Sequence, residues 1–439
     1  MAKKIAILVL LAAACLLTGC ATLTVDQMYC IPKRPQSFSD LQSVIDAAME
    51  GMDYSAPRAG EHQQTVQMAD LDGDGIREYL VFARDGADKS LKILIFAQRE
   101  SDYVHTDTME CTGSSFDRVE YAQLDSSEGL ELLVGCQLDG QVPRSVSVYG
   151  YENDRLQQVM MSNYTELLTC DLNEDGVKEL MILSSQAERP ERGVATLYTM
   201  ENGTMARSNE ALLSGPVENL KRIILGDLHG GIPAVFVGST VDESTIMTDV
   251  YALVDGVLTN VSLSAESGTS VQTLRNYYVY AEDMDADGEV EMPSLIPMKP
   301  VAESAVETEQ HLIRWYAMGA DGTTTDKIFT YHNYADGWYM ELDAQWAERI
   351  SVVQSANTYS FYLWDEEFRT AEEIFSVYVL TGTAREEQAQ QHNRFVLHRG
   401  ESVIYAARME VASGALSIAQ EDLINSFRLI HQAWNTGEM

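Results

Sequence analysis

Basic residues are scarce in this chain. Its 439 residues include 30 Lys plus Arg against 67 Asp plus Glu, a formal net charge of −37. Phosphate backbones are gripped mainly by Lys and Arg, so a nucleic-acid partner is excluded. Docking on an anionic membrane through a basic patch is excluded on the same ground. After residue 20 no stretch reaches the roughly 18 consecutive apolar residues of a spanning helix. No CxxC and no Cys/His cluster with zinc spacing is present. Catalytic fingerprints are missing as well: there is no GxSxG, HExxH, P-loop or GxGxxG. The eight histidines are scattered, and Leu228-His-Gly-Gly lacks the nucleophile elbow that would make it an esterase phrase. What is present is apolar content of 45% with 8% aromatics, enough for folded cores rather than wholesale disorder. At this length two or three domains are expected.

The N-terminus sets an expectation about compartment. Residues 1–20 read MAKKIAILVLLAAACLLTGC, with Lys3 and Lys4 as a basic region ahead of the apolar run Ile5 to Leu17. That run is too short to span a membrane with these flanks and reads as a signal peptide over 1–19. The segment ends Leu17-Thr18-Gly19-Cys20, which resembles a bacterial lipobox. The resemblance implies lipidation at Cys20 and a two-chain membrane anchor facing the extracytoplasmic side. Residues 20–37 then read as a tether. Of the remaining cysteines, Cys30, Cys111, Cys136 and Cys170 would be exported, and four cysteines allow three pairings among which sequence does not choose.

An internal repeat organises the rest. Five segments align, beginning their acidic loops at Asp70, Gln123, Asp171, Asp227 and Asp283, with spacings of 48–56 residues. Each loop lies between two short β-prone runs, and a hairpin follows, as in Leu91-KILIFAQ with Tyr103-VHTDTM or Ser145-VSVYGY with Leu156-QQVMM. About four strands per repeat fit a propeller blade, since one such sheet cannot bury both faces alone. On these motifs, residues 60–345 resemble the VCBS/FG-GAP family of β-propeller repeats, also found in integrin α-subunit heads. The resemblance implies a mainly β fold with a propeller of about five to seven four-stranded blades. A β-sandwich pair or a β-solenoid is the rival architecture.

Three loops follow D-x-[DN]-x-D-G-x-x-E. The first has Asp70, Asp72, Asp74 and Glu78, the third Asp171, Asn173, Asp175 and Glu179, the fifth Asp283, Asp285, Asp287 and Glu291. Calcium takes six to eight oxygens. Positions 1, 3 and 5 of a tight turn aim at one point, and the position-7 carbonyls of Ile76, Val177 and Glu289 add another ligand. The Glu at position 9 closes each site from the next strand. An EF-hand needs a Glu at position 12, where this chain has Val81, Ile182 and Ser294. Up to three structural calcium ions are therefore expected. The second loop, with Gln123 and Ser127, and the fourth, with His229 and Gly231, are expected to turn the chain without metal.

Ser37–Met52 reads as one amphipathic helix with Ser39 and Gln42 as a capping box. The domain boundaries are placed at 38–347 for helix plus propeller and 348–439 for a small α+β domain. The latter ends in a helix near Ser417–Thr436, with Leu423, Phe427, Ile430 and Trp434 on one face, and it faintly resembles PsbP/Mog1-type domains. The functional expectation is a non-catalytic, membrane-anchored scaffold or binding module for a protein or glycan. The alternatives are an envelope polysaccharide hydrolase or lyase with its site at the propeller mouth, and an assembly factor.

Overall fold

The structure is a computed structural model that describes residues 36–100, 102–138, 144–276, 279–298, 301, 310–365, 370–410 and 418–430. Cys20, Cys30, the signal segment and the tether lie outside the described residues. The chain is mainly β, in six antiparallel sheets taken up in sequence order. The first, of five strands, runs from Met52–Tyr54 to Asp102–Cys111. The second (from Ser115–Ala122 to Arg155–Tyr164), third (from Glu166–Cys170 to Thr204–Leu212) and fourth (from Leu220–Leu228 to Val257–Asn260) are four-stranded meanders. The fifth runs from Glu291–Pro297 to Trp338–Leu342, with a fifth strand added at its edge, and the sixth from Ile350–Ser355 to Val403–Met409.

Alternation along each strand explains why the sheets stack. Leu80, Phe82, Ile93 and Ile95 of the first sheet pack on Phe116, Val119, Leu132 and Val134 of the second. The second sheet turns Leu133, Val146 and Val148 toward Leu180 and Ile182 of the third. Met181, Leu183 and Leu197 of the third then meet Val235, Val237 and Tyr251 of the fourth. Phe236 and Val250 meet Met292 and Tyr316 of the fifth, and Phe329, Tyr331 and Met340 meet Phe361, Phe375 and Val377 of the sixth. Successive side chains on a strand point to opposite faces, so the near-continuous apolar strands bury both.

The two end faces are covered differently. On the first sheet, Val81, Ala83, Leu94 and Phe96 pack under helix α1 (Gln36–Ala48) through Leu41 and Ile45, with Met49 just past its end. On the sixth, Tyr378, Leu380, Ile404 and Ala406 pack on Ala389 of helix α2 (Arg385–Gln390). No apolar cluster among the described residues joins the first sheet to the sixth. The array is thus six stacked sheets with a helix on each terminal face, and the expected ring closure does not follow from these contacts. Helix α1 includes Ser39, and the Gln42 side chain donates to Asp46 Oδ1 at 2.7 Å.

The expected C-terminal helix is corrected. Helix α3 spans only Gln420–Ser426, and Phe427–Leu429 continues as a strand paired with Trp338–Met340. The physical reason is an open sheet edge. Extending Phe427–Leu429 satisfies the backbone of the Trp338–Leu342 strand and stacks Phe427 on the buried Trp338, with ring centroids 5.6 Å apart. Of the four residues expected on one helical face, Leu423 lies in α3 and is buried, Phe427 lies in the strand, the Ile430 N–H donates to Gly337 O at 2.9 Å, and Trp434 lies outside the described residues.

Candidate metal centre

Four of the five acidic loops share one layout around position 9. The glutamate there opens a strand and is buried: Glu78, Glu131, Glu179 and Glu291. Its Oε2 accepts the N–H of loop position 2, from Leu71 at 2.9 Å, Leu124 at 2.7 Å, Leu172 at 2.9 Å and Met284 at 2.8 Å. One oxygen of each glutamate is therefore spent on holding the loop.

In the three acid-rich loops the position-1 aspartate folds across the turn. Asp70, Asp171 and Asp283 each accept through Oδ2, at 3.0 Å, from the N–H of Gly75, Gly176 and Gly288. Those glycines have φ of +81°, +85° and +94°, a region that L side chains rarely adopt. At position 5, Oδ1 of Asp74, Asp175 and Asp287 accepts from the position-7 N–H of Ile76, Val177 and Glu289 at 2.7, 2.8 and 2.8 Å. Each loop is thus wound so that its oxygens turn inward.

Among the described residues two groups of carboxylates converge, Asp70 with Asp72 and Glu78, and Asp283 with Asp285 and Glu291. Within each, ligand oxygens lie inside 4.8 Å of one another. These six residues can hold a metal ion. The third loop does not form such a group, because Asn173 stands where the others have Asp72 and Asp285. Its amide donates to Asp175 Oδ2 at 3.0 Å and its oxygen accepts the Asp175 N–H at 2.9 Å. Electrostatics mark the same places. Burial pushes the Glu78 and Glu291 carboxyls up to about 7, with the neighbouring aspartates adding to the rise. Asp72 and Asp285 are raised mainly by burial. Glu291 is fully buried and its Oε1 has no hydrogen-bond partner among the described residues. A buried carboxylate oxygen without a donor is costly. The donor set, all oxygen and mostly charged, suits a hard divalent cation.

At the second and fourth loops no converging acid group is found among the described residues. Gln123 sends its amide to the Ser127 carbonyl at 2.8 Å, so the second loop closes on itself through a neutral bond. The fourth is a tight hairpin in which Gly231 donates to Leu228 O at 3.0 Å. It leans on the fifth loop, with His229 Nδ1 3.1 Å from Glu289 Oε2. Sequence reading missed Lys327, whose Nζ lies 2.8 Å from both Asp287 Oδ2 and Glu289 Oε2. It belongs to a strand 40 residues away from Asp287, with no motif to flag it.

Two other polar groupings offer less. Asp249 in the fourth sheet is buried but accepts from Ser214, Asn260 and Ser270, so its oxygens are already committed. A cleft of about 310 Å³ lies between the Trp338–Leu342 strand and α3, with Glu341, Asp343 and Asp422 among its lining residues. Trp346 there is only 4% exposed and offers no open aromatic platform. Cys111, Cys136 and Cys170 are free and buried.

No protein-family model matches the sequence, and no curated protein matches it. Among solved structures the chain is similar to the exotype rhamnogalacturonan lyase YesX, at 12% identity and a TM-score of 0.31. That alignment covers 74% of this chain and 65% of the lyase, less than two thirds of its length. It is also similar to Chaetomium thermophilum Sqt1, at 11% identity and a TM-score of 0.31, covering 84% of this chain and 100% of that one. A Lactobacillus plantarum protein aligns at 10% identity and a TM-score of 0.26, over 72% of this chain and 85% of that one.

Proposed function

We propose that the chain is an exported lipoprotein, anchored through Cys20, whose blade-like sheets are clamped by calcium and present their loops to a protein or glycan. The observation that carries the calcium reading is the convergence of three carboxylates at each of two loops, with a buried Glu291 oxygen lacking any donor. The repeat motif supports it, since the same positions are acidic in the VCBS/FG-GAP loops that this sequence resembles. The ions would be structural. Asp70, Asp72, Asp74 and Glu78 at the first loop, and Asp283, Asp285, Asp287 and Glu291 at the fifth, would supply oxygens together with the carbonyls of Ile76 and Glu289. The third loop, with Asp171, Asn173, Asp175, Glu179 and the Val177 carbonyl, is the most weakly charged of the three. Bound calcium would offset carboxylate repulsion and lock each turn onto its sheet.

The binding role is tested by immobilising the purified chain and passing polysaccharides and envelope proteins over it. The same mixtures are assayed for new reducing ends and for unsaturated sugar products. Saturable retention without turnover supports a binding module. Turnover would replace it with the envelope-enzyme reading, and neither retention nor turnover would remove the glycan and protein ligands tested.

A further inference from the structure

The fifth loop carries an ion-paired ammonium, whereas at the first the nearest cation acting on the loop, Arg99, pairs with Asp154 instead. Lys327, on the strand Thr324–Asn333, sets its ammonium 2.8 Å from Asp287 Oδ2 and 2.8 Å from Glu289 Oε2. The other Asp287 oxygen already accepts the Glu289 N–H at 2.8 Å. Glu289 also accepts the Gly230 N–H at 2.8 Å through Oε1. Four residues from Asp287, Glu291 is fully buried, and its donor-less Oε1 belongs to the group formed with Asp283 and Asp285. That oxygen points to a ligand independently of the acid count. At the first loop, Asp70, Asp72, Asp74 and Glu78 have no Lys or Arg within ion-pair distance among the described residues.

We propose that the fifth loop is a divalent-cation site with a built-in competitor, the Lys327 ammonium, which makes it the weaker partner of the first loop. The inference rests on the calcium reading above. An ion held by Asp283, Asp285 and Glu291 feels the repulsion of an ammonium fixed on the adjacent carboxylate. Recruiting Asp287 as a further ligand means drawing its Oδ2 away from Lys327, which then stays on Glu289. The first loop has four carboxylates, none of which must be drawn away from an ion-paired cation among the described residues. The chain therefore holds two classes of calcium site from nearly identical motifs. The weaker one is linked to the contact between fourth and fifth loops, because Glu289 is shared by Lys327, His229 and Gly230.

The test is calorimetric titration of the purified chain with calcium alone. Lys327→Gln removes the charge and is expected to tighten the fifth-loop site, the one that Asp285→Ala removes, about tenfold, the order expected for one partly screened charge a few ångströms away. Lys327→Arg keeps the charge and is expected to leave that site weak. Adding Asp285→Ala to Lys327→Gln is expected to abolish both the site and the gain. Lys327→Met serves as a second neutral variant should Lys327→Gln fold poorly. If the neutral variants titrate as the parent does while Asp285→Ala still removes one site, the competitor role is overturned and calcium binding stands. If calcium binds no variant and not the parent, both readings fall.

Discussion

The Leu130 N–H donates to the Asp70 carbonyl at 3.1 Å, joining position 8 of the second loop to position 1 of the first. The same bond recurs from Lys178 to Gln123 at 2.9 Å and from Val290 to Asp227 at 2.8 Å. At these three joints the following loop thus holds the preceding one by the backbone of its first residue. In the first loop that residue is also an acid of the metal cluster. A ligand loop and an intersheet contact are therefore one piece of structure, and what orders one should order the other.

From this coupling follows a stability prediction. Adding calcium to the purified chain should raise its melting temperature by several degrees, and a chelator should reverse the rise. A site filled at a hundredfold excess over its Kd contributes about 2.7 kcal/mol. Asp72→Asn with Asp285→Asn should lower the metal-dependent part without lowering the melting temperature in chelator. A melting curve indifferent to both calcium and chelator would rule out the structural ions.

The second loop offers a gain of function. It retains Asp125 at position 3 and the buried Glu131 at position 9, with Glu131 Oε2 already on the Leu124 N–H. What it lacks are acids at positions 1 and 5, where the Gln123 amide spans to the Ser127 carbonyl. Replacing Gln123→Asp and Ser127→Asp together should add one calcium ion per chain, counted by calorimetry or by metal analysis after gel filtration. An unchanged stoichiometry would mean that the pattern alone does not make a site.

Much of this was legible in the sequence because the loops encode themselves locally. Asp at positions 1 and 5 and Gly at position 6 fold onto backbone N–H groups a few residues away, so spacing suffices to find Asp70 or Asp283. The hairpins were equally legible, since short β-prone apolar runs such as Leu91–Arg99, each followed by a second run, declare both strand and partner. The sequence was silent where contacts are long-range. Lys327 reaches the fifth loop from another strand of the fifth sheet. Phe427 follows a helical pattern but is drawn into an extended strand by the open edge at Trp338. Whether the sheets close into a ring is likewise a matter of end faces, and α1 on Val81 and Leu94 has no signature separating it from a helix packed elsewhere.

Glu131 gives a pH prediction free of any metal ligand. Its carboxyl ordinarily titrates near 4.5, and burial raises it to about 7 in the folded chain. A carboxyl raised in the fold favours the protonated native state. The stability it contributes is fully present below about pH 4.5 and is lost as pH rises through about 7. With calcium saturating the other loops, Glu131→Gln should therefore flatten the fall in urea stability between pH 5 and 8, by roughly 2 kcal/mol. At pH 4 the variant and the parent should differ little beyond the cost of accommodating the buried amide. Parallel curves across that range would show that Glu131 does not titrate there.

Gly129 tests the joint between the first two sheets most directly. A Cβ on Gly129 would lie 2.4 Å from the Leu71 carbonyl oxygen, and one on Gly73 would lie 2.7 Å from the Glu128 backbone. Both are closer than real Cβ contacts, so the two loops touch backbone to backbone with no room for a side chain. Gly129→Ala should push the loops apart, stretch the Leu130–Asp70 bond and move Asp70 away from Asp72 and Glu78. The expected result is a loss of about 1–3 kcal/mol, together with a weakened calcium site at the first loop and an untouched one at the fifth. Calorimetric titration beside urea unfolding separates the two effects. A variant that is destabilised but binds calcium as tightly at the first loop would show that the loop keeps its ligand geometry without its neighbour.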